Sequence, residues 1–352
     1  MKANGHIGAA WFVVIVGMSI VAESALAAPP PETLQLNDLA ARPDRWPAEV
    51  TIKHDMNFGN AKLTTGQKVT VLEYNGGPDL GVDAGNNQLF GISTDDCNLL
   101  EAANAVWATL TPPQRALEPK AVIEDASLWP AKVKCTSGFT LDAGKEIPPG
   151  QEFELMSIDP RGMVTLWATA DKAKLSAQLV QTDAVARARD LVALDPAKRP
   201  ARVAAALKDV MVDADGATVK KDDLEGQTVY ALYYGASWCG PCRSFSPGFV
   251  KYVESVSAAN PKLTVVLVSN DEKDADMLKY MKEEKMPWAA VPMKAMNETP
   301  LLMSYLRGSI PQLTIVDRYG KILADSWSAN QYVGPKTAMA GLDKAIKSGA
   351  AK

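Results

Sequence analysis

Trp238-Cys239-Gly240-Pro241-Cys242-Arg243 follows the apolar run Val229-Tyr230-Ala231-Leu232-Tyr233-Tyr234 and precedes Ser244-Phe245-Ser246-Pro247-Gly248-Phe249-Val250-Lys251-Tyr252-Val253. The run reads as a buried strand and the segment behind the cysteines as an amphipathic helix. The two cysteines therefore fall where a strand ends and a helix begins. A thiolate at that position is stabilised by free backbone N–H groups and by the positive end of the helix dipole. The thiolate is the nucleophile, and in Cys-X-X-Cys turns its pKa commonly falls below that of a free cysteine. Cys239, at the mouth of the turn, is expected to attack. Cys242, one turn into the helix and more covered, is expected to resolve the mixed disulfide.

A single Cys-X-X-Cys can also be half of a zinc site, which needs four Cys or His ligands. The chain has four cysteines and two histidines, His6 and His54, and no second Cys-X-X-Cys. The ligand count argues for redox chemistry, with no metal and no cofactor.

The 352 residues allow two or three domains, and 47% hydrophobic with 22% charged residues allows ordinary cores. A net charge of −4 without a basic stripe argues against nucleic-acid binding. Residues 1–27 read as a cleaved signal peptide. Lys2 starts it, the stretch Ala9 to Ala22 is apolar except for Ser19, and Ala25-Leu26-Ala27 offers small residues for cleavage after Ala27. That apolar stretch is shorter than the ~18–20 residues of a membrane span, although an uncleaved anchor is the alternative. Export predicts a periplasmic or secreted protein. Cleavage removes His6 and leaves His54 as the one histidine, which argues against a His-dependent nucleophile or a multi-His metal site.

Residues 28–45 read as a tether with a short helix near Leu34 to Ala41. Two similar segments follow. Trp46-Pro47-Ala48-Glu49-Val50 recurs as Trp129-Pro130-Ala131-Lys132-Val133, offset by 83, and Leu63 to Leu72 recurs as Ile147 to Met156, offset by 84. Leu89-Phe90-Gly91-Ile92 is matched with Leu166-Trp167-Ala168-Thr169. Alternating residues after a Gly-Gln turn predict strands with one buried face. Each copy, 46–110 and 122–182, is expected to be a small all-β unit whose rhythm resembles bacterial SH3-like barrels. Helical patterns over Asn98 to Thr109 and over 183–209 read as connectors.

Beyond residue 210 the pattern changes. Val212 to Val219 reads as a hairpin closed at Asp215-Gly216, and Lys221 to Gly226 as a short helical turn. Thr228 to Tyr234 and Leu263 to Ser269 read as strands, the second buried on both faces as in a parallel pair. Asp274 to Glu284 and Leu301 to Arg307 read as helices, Gln312 to Asp317 and Ile322 to Asp325 as an antiparallel hairpin, and Thr337 to Lys347 as a closing helix. The order β-α-β-α-β-β-α predicts a three-layer α/β domain with a mixed sheet over 210–349.

This C-terminal part resembles the thioredoxin superfamily, in its tryparedoxin/nucleoredoxin branch. The resemblance rests on Ala236-Ser237-Trp238-Cys239-Gly240-Pro241-Cys242-Arg243, Val268-Ser269-Asn270-Asp271-Glu272, Met286-Pro287-Trp288-Ala289-Ala290-Val291-Pro292 and Ile310-Pro311-Gln312-Leu313, in order and spacing. It implies a redox-active Cys239–Cys242 disulfide and disulfide-bearing protein partners. It also implies a cis Ile310–Pro311 peptide beside the cysteines, and substrate docking by Trp238, Gly240, Pro241, Ile310 and Pro311. An extended partner segment could pair with the Ile310 backbone. Apart from the resemblance, Pro311 reads rather as a trans proline at a strand start, and Met286-Pro287-Trp288 reads as structural.

Two positions depart from the family pattern. The buried Asp that many thioredoxins carry six residues before the first cysteine is here Tyr233, as in tryparedoxins. A phenol of pKa near 10 is a poor base, so proton transfer is expected to fall to water or Glu272 rather than Tyr233. The residues between the cysteines are Gly-Pro, not the Pro-Pro usual in tryparedoxins, and neither is a histidine. A protonated histidine there would stabilise the thiolate and make the disulfide more oxidising. The chain is therefore expected to be a reductase, with a potential near the ~−270 mV of thioredoxin.

Cys97 and Cys135 remain. An even pair in an exported protein suggests a disulfide. Cys135 also aligns with Ile52 across the repeat, and a buried free cysteine behaves as a small hydrophobe. Three functions are consistent with these readings: an exported protein-disulfide reductase recharged by a membrane thiol reductant, a cell-wall or protein-binding protein with an accessory redox domain, and a cytochrome c maturation-type thiol reductant.

Overall fold

The computed structural model describes residues 30–40, 42–85, 88–136, 138–140, 146–171, 173–219, 224 and 226–351. The expected leader 1–27 and most of the turn expected over Lys221 to Gly226 lie outside the described residues.

The two repeats fold alike. The first has strands β1 (Glu49–Thr51), β2 (Lys68–Tyr74), β3 (Asp79–Asp83) and β4 (Leu89–Ser93), then helix α1 (Leu99–Thr109). The second has β5 (Lys132–Lys134), β6 (Glu152–Ile158), β7 (Met163–Ala168) and β8 (Ala173–Gln178), then α2 (Ala184–Val192). Each set forms a four-stranded antiparallel sheet in chain order. The registers correspond. Val50 faces Val69 as Val133 faces Phe153, and a bulge at Val71/Glu73 recurs at Leu155/Ser157. Gly66 and Gly150 sit at φ +82° and +81°, where a side chain would be strained, so each repeat needs glycine to turn into its long strand. A single 3₁₀ turn then returns each chain to its first strand. Ile52 bridges Cys97 in one unit and Cys135 bridges Thr182 in the other, so the two cysteines occupy non-equivalent positions. Both are buried free thiols.

Four sequence expectations are corrected. The match of Leu89–Ile92 with Leu166–Thr169 fails because register makes β4 the counterpart of β8 and places Leu166 in β7. The alternation that suggested the match is common to every half-buried strand. The β units are as expected, but the helices read as connectors close them: α1 buries Leu99, Ala103 and Trp107, one residue per turn on one face, and α2 buries Ala184, Val185 and Ala188. The described part of the expected tether 28–45 is packed, not free, since Leu34 and Leu39 enter the first core and Trp107 Nε1 donates to the Pro31 carbonyl at 3.0 Å. The expected connector 183–209 is divided: α2 completes the second core, while α3 (Arg202–Leu207) buries Val203 and Leu207 in the C-terminal domain.

The two repeats are joined by a buried polar knot. Arg189 pairs with Asp44 at 2.7 Å, both almost fully buried, and Arg42 pairs with Asp44 at 2.8 Å and with Glu118 at 2.7 Å. The guanidiniums of Arg45 and Arg189 lie over Trp107, 5.5 and 5.7 Å from the ring centre. A buried ion pair survives the loss of hydration only when its remaining donors are satisfied, and Arg189 Nε donates to the Gln114 carbonyl.

The C-terminal domain is built on a five-stranded mixed sheet. Its strands are β9 (Val229–Gly235), β10 (Leu263–Ser269), β11 (Ala289–Val291), β12 (Gln312–Asp317) and β13 (Ile322–Asp325), in the order β11-β10-β9-β12-β13. The pairs β9·β10 and β10·β11 are parallel, and β9·β12 and β12·β13 antiparallel. Strand β11 was not anticipated, because three residues are too few for a periodic signal. Val212 of the Asp215-Gly216 hairpin bridges both Thr218 and Ala290 and so extends that edge. Every residue of β9 is buried, as befits the central strand. Val229, Ala231 and Tyr233 face helices α4 (Gly240–Ser257), α5 (Asp274–Glu283) and α7 (Pro335–Lys347). Tyr230, Leu232 and Tyr234 face α3, Met293–Asn297 and helix α6 (Pro300–Tyr305). The period of two divides one strand between two cores.

Candidate functional site

Strand β9 ends at Gly235, and Cys239 is the residue that caps α4. Cys239 and Cys242 form a disulfide, with S–S 2.11 Å and Cα–Cα 5.2 Å. The Cys242 N–H donates to Cys239 Sγ at 3.1 Å, so the first sulfur sits on the unpaired amides of the helix start. Pro241 lies within the first turn, where its missing N–H costs nothing. Cys239 retains 5% exposure and Cys242 none, which leaves one sulfur reachable. Gly240 and Pro241 are exposed beside it. Trp238 is 69% exposed, so it is not held by packing.

The Ile310–Pro311 peptide is cis, and the Ile310 carbonyl oxygen lies 3.9 Å from Cys239 Sγ. Pro311 is buried and Ile310 half-buried against the cysteines. The Tyr332 hydroxyl donates to the Pro311 carbonyl at 2.6 Å. Thus Trp238, Gly240, Pro241, Ile310 and Pro311 all lie around the dithiol, brought together by the adjacency of β9 and β12.

Beneath Cys242 lies a set of fully buried hydroxyls. Tyr233 is 2.9 Å from Ser246 Oγ and 3.2 Å from the Tyr280 hydroxyl. Ser246 is 2.6 Å from Tyr280 and donates to the Cys242 carbonyl at 3.0 Å. Burial pushes the Tyr233 phenol far above its ordinary value, and the neighbouring Tyr280 adds to the shift, so Tyr233 stays protonated and is not a base.

Two residues missed by sequence reasoning hold the turn. Asp271, not its exposed neighbour Glu272, is the carboxylate aimed at the site. It is 2% exposed and accepts from Ser237 N at 2.9 Å, Ser237 Oγ at 2.6 Å and Ser269 Oγ at 3.0 Å. Arg243 Nε donates to the Ser237 carbonyl at 2.6 Å while its guanidinium pairs with Glu283 at 3.0 Å and lies 5.4 Å from the Tyr280 ring centre. Asp271 stands within the quoted Val268-Ser269-Asn270-Asp271-Glu272 segment, so a signal was present. What was not readable was which of two adjacent acids points inward at the end of β10.

Residues 226–322 match the model of a family described as thioredoxin-like. The Arabidopsis thaliana probable nucleoredoxin 1 is 36% identical over 121 residues, covering 34% of this chain and 20% of that protein. Tryparedoxin of Trypanosoma brucei brucei is 43% identical over 74 residues, covering 21% of this chain and 49% of its own. Among solved structures, tryparedoxin from Trypanosoma brucei aligns with 33% of this chain and 79% of its own at 32% identity, with a TM-score of 0.29. The C-terminal domain is thus a thioredoxin-like domain of the kind found in nucleoredoxins and tryparedoxins, and it carries a cysteine pair at 239 and 242. The family model covers residues 226–322, and the chain spans from 20% to 49% of the length of these two curated relatives.

Proposed function

We propose that the chain is an exported thiol–disulfide oxidoreductase that reduces disulfides in partner proteins. The observation that carries this reading is Cys239 Sγ at the cap of α4, accepting the Cys242 N–H and open at one edge while Cys242 is sealed. In the reduced protein the same amide and the helix dipole favour the Cys239 thiolate. That thiolate attacks a partner disulfide, forms a mixed disulfide and expels a partner thiolate, which takes a proton from solvent. The Cys242 thiol loses its proton to water, and its sulfur attacks Cys239 Sγ. The Cys239–Cys242 disulfide forms and the second partner thiol leaves. Two electrons pass to the partner, and the oxidised pair seen here is the product. Resetting it requires a dithiol donor, which for an exported protein is a membrane thiol reductant.

Export rests on the signal-peptide reading of residues 1–27, and a mature N-terminus at Ala28 is the expected mass-spectrometric result. Reduction rather than oxidation rests on Gly240-Pro241, which places no cation beside the thiolate. The return of each N-terminal sheet to its first strand after a 3₁₀ turn supports an SH3-like reading of the repeats. A cleft of about 450 Å³ between the repeats, bordered by Trp46, Pro47, Lys134 and Pro149, supports a protein or cell-wall ligand there.

A Cys242→Ser variant should accumulate mixed disulfides through Cys239, and the wild type should reduce insulin with dithiothreitol as electron donor. A Cys239 without reactivity toward disulfides overturns the reading.

A further inference from the structure

The dithiol faces a loop that is held from outside the thioredoxin-like match. Helix α6 ends at Tyr305, and five residues later the Ile310 carbonyl lies 3.9 Å from Cys239 Sγ. The last carbonyls of a helix have no helical partner and carry partial negative charge, which an ammonium can satisfy. The ammonium that does so comes from a different folding unit. Lys174, on β8 of the second repeat, places Nζ 3.1 Å from the Ser304 carbonyl and 3.5 Å from that of Leu306.

The rest of the loop is tied within the C-terminal domain. Gln312 Nε2 donates to the Tyr305 carbonyl at 2.7 Å, and its Oε1 accepts from Arg307 N at 3.1 Å. On the far side Arg307 Nη1 donates to the Ala329 carbonyl at 2.7 Å, and Tyr332 holds the Pro311 carbonyl. Lys174 holds the near side, where the chain leaves α6 and turns through Gly308, at φ +86°. Helix α6 also packs on β6 of the same repeat.

We infer that Lys174 is a positioning residue for the segment Leu306 to Pro311, so that the second repeat is a working part of the dithiol site. The activity arm of this inference rests on the reductase reading above. A protein partner that lies along the Ile310 backbone needs that segment in place. A small disulfide, which has to reach only Cys239 Sγ, does not.

The test uses the full chain with Lys174→Met, and Lys174→Arg as the conservative variant. Hydrogen exchange of the oxidised protein reads the loop directly, and exchange over residues 304–313 should rise three- to tenfold in Lys174→Met. In single turnovers of pre-reduced protein, the rate with insulin should fall three- to tenfold, while the rate with dithiobis(nitrobenzoate) stays within twofold. Lys174→Arg should restore both readouts to within twofold. Unchanged exchange overturns the inference. So does raised exchange with an unchanged insulin rate, and so does an equal fall with both substrates. If the wild type itself reacts with the small disulfide but not with insulin, the reductase reading fails, and the exchange measurement still decides the role of Lys174.

Discussion

Replacing Asp271 should unfasten the turn that presents Cys239. The carboxylate accepts from Ser237 N, Ser237 Oγ and Ser269 Oγ at 2.6–3.0 Å while only 2% exposed. Hydrogen bonds to a charged acceptor contribute roughly 1.5–3 kcal/mol each. The sum overstates the loss, because the two hydroxyls can turn to other acceptors and because burying the carboxylate itself costs free energy. The Ser237 N–H has no such freedom. Asp271→Ala should therefore cost about 2–4 kcal/mol, and Asp271→Asn, which keeps one acceptor oxygen and the shape, about half that. Hydrogen exchange of the β9 and β10 segments through a urea series isolates this domain from the other two. Reaction of reduced Asp271→Ala with a protein disulfide should slow by about tenfold, since a mobile Ser237-Trp238 segment no longer fixes the attacking sulfur. A cost below about 0.5 kcal/mol for Asp271→Ala, with an unchanged rate, would refute the assignment of this carboxylate as the anchor of the turn.

Other expectations follow from the same geometry. Tyr233→Phe should leave the pH–rate profile unchanged below pH 9, because burial already keeps the phenol protonated; a shifted limb would restore it as a proton carrier. Glu272→Gln is the matching test for the exposed acid, and an altered profile would give it that role. Arg189→Met removes one of the two guanidiniums on buried Asp44 and leaves Arg42 paired with it, so it should cost about 1.5–3 kcal/mol in the unfolding of the two repeats measured by calorimetry. Burial pushes the Cys135 thiol up to about 11. The folded state then holds a proton that the unfolded state releases above its ordinary value, so stability falls as pH rises from about 9 to about 11. Wild type should lose stability more steeply over that window than Cys135→Ala. Equal slopes would contradict the burial effect.

The C-terminal fold was legible because its signals are local and redundant. Val229–Tyr234 is an unbroken apolar run, the cysteines mark the strand-to-helix junction, and Ile310-Pro311 precedes a second apolar strand. The repeats were half legible. Trp46/Trp129 and Gly66/Gly150 disclosed the duplication, but β4 and β8 share a position without sharing residues, so only hydrogen-bond register could align them. Leu99, Ala103 and Trp107 showed a helix without showing whether it bridges two units or closes one. The contacts of Lys174 were invisible, since 130 residues separate it from Ser304 and no periodicity links a strand edge to a distant helix end.

The division of the connector has a practical side. Composition suggests trimming the redox domain at Val210, yet Val203 and Leu207 fill the sheet face formed by Tyr230, Leu232 and Tyr234. A fragment begun there would be born with an oily trench and should self-associate. One begun near Ala201 keeps its plug, but it exposes the Arg202 guanidinium that otherwise lies over Trp129 and donates to the Leu155 carbonyl. Neither scission is clean, because the thioredoxin-like domain and the second repeat each leave part of their surface on the other.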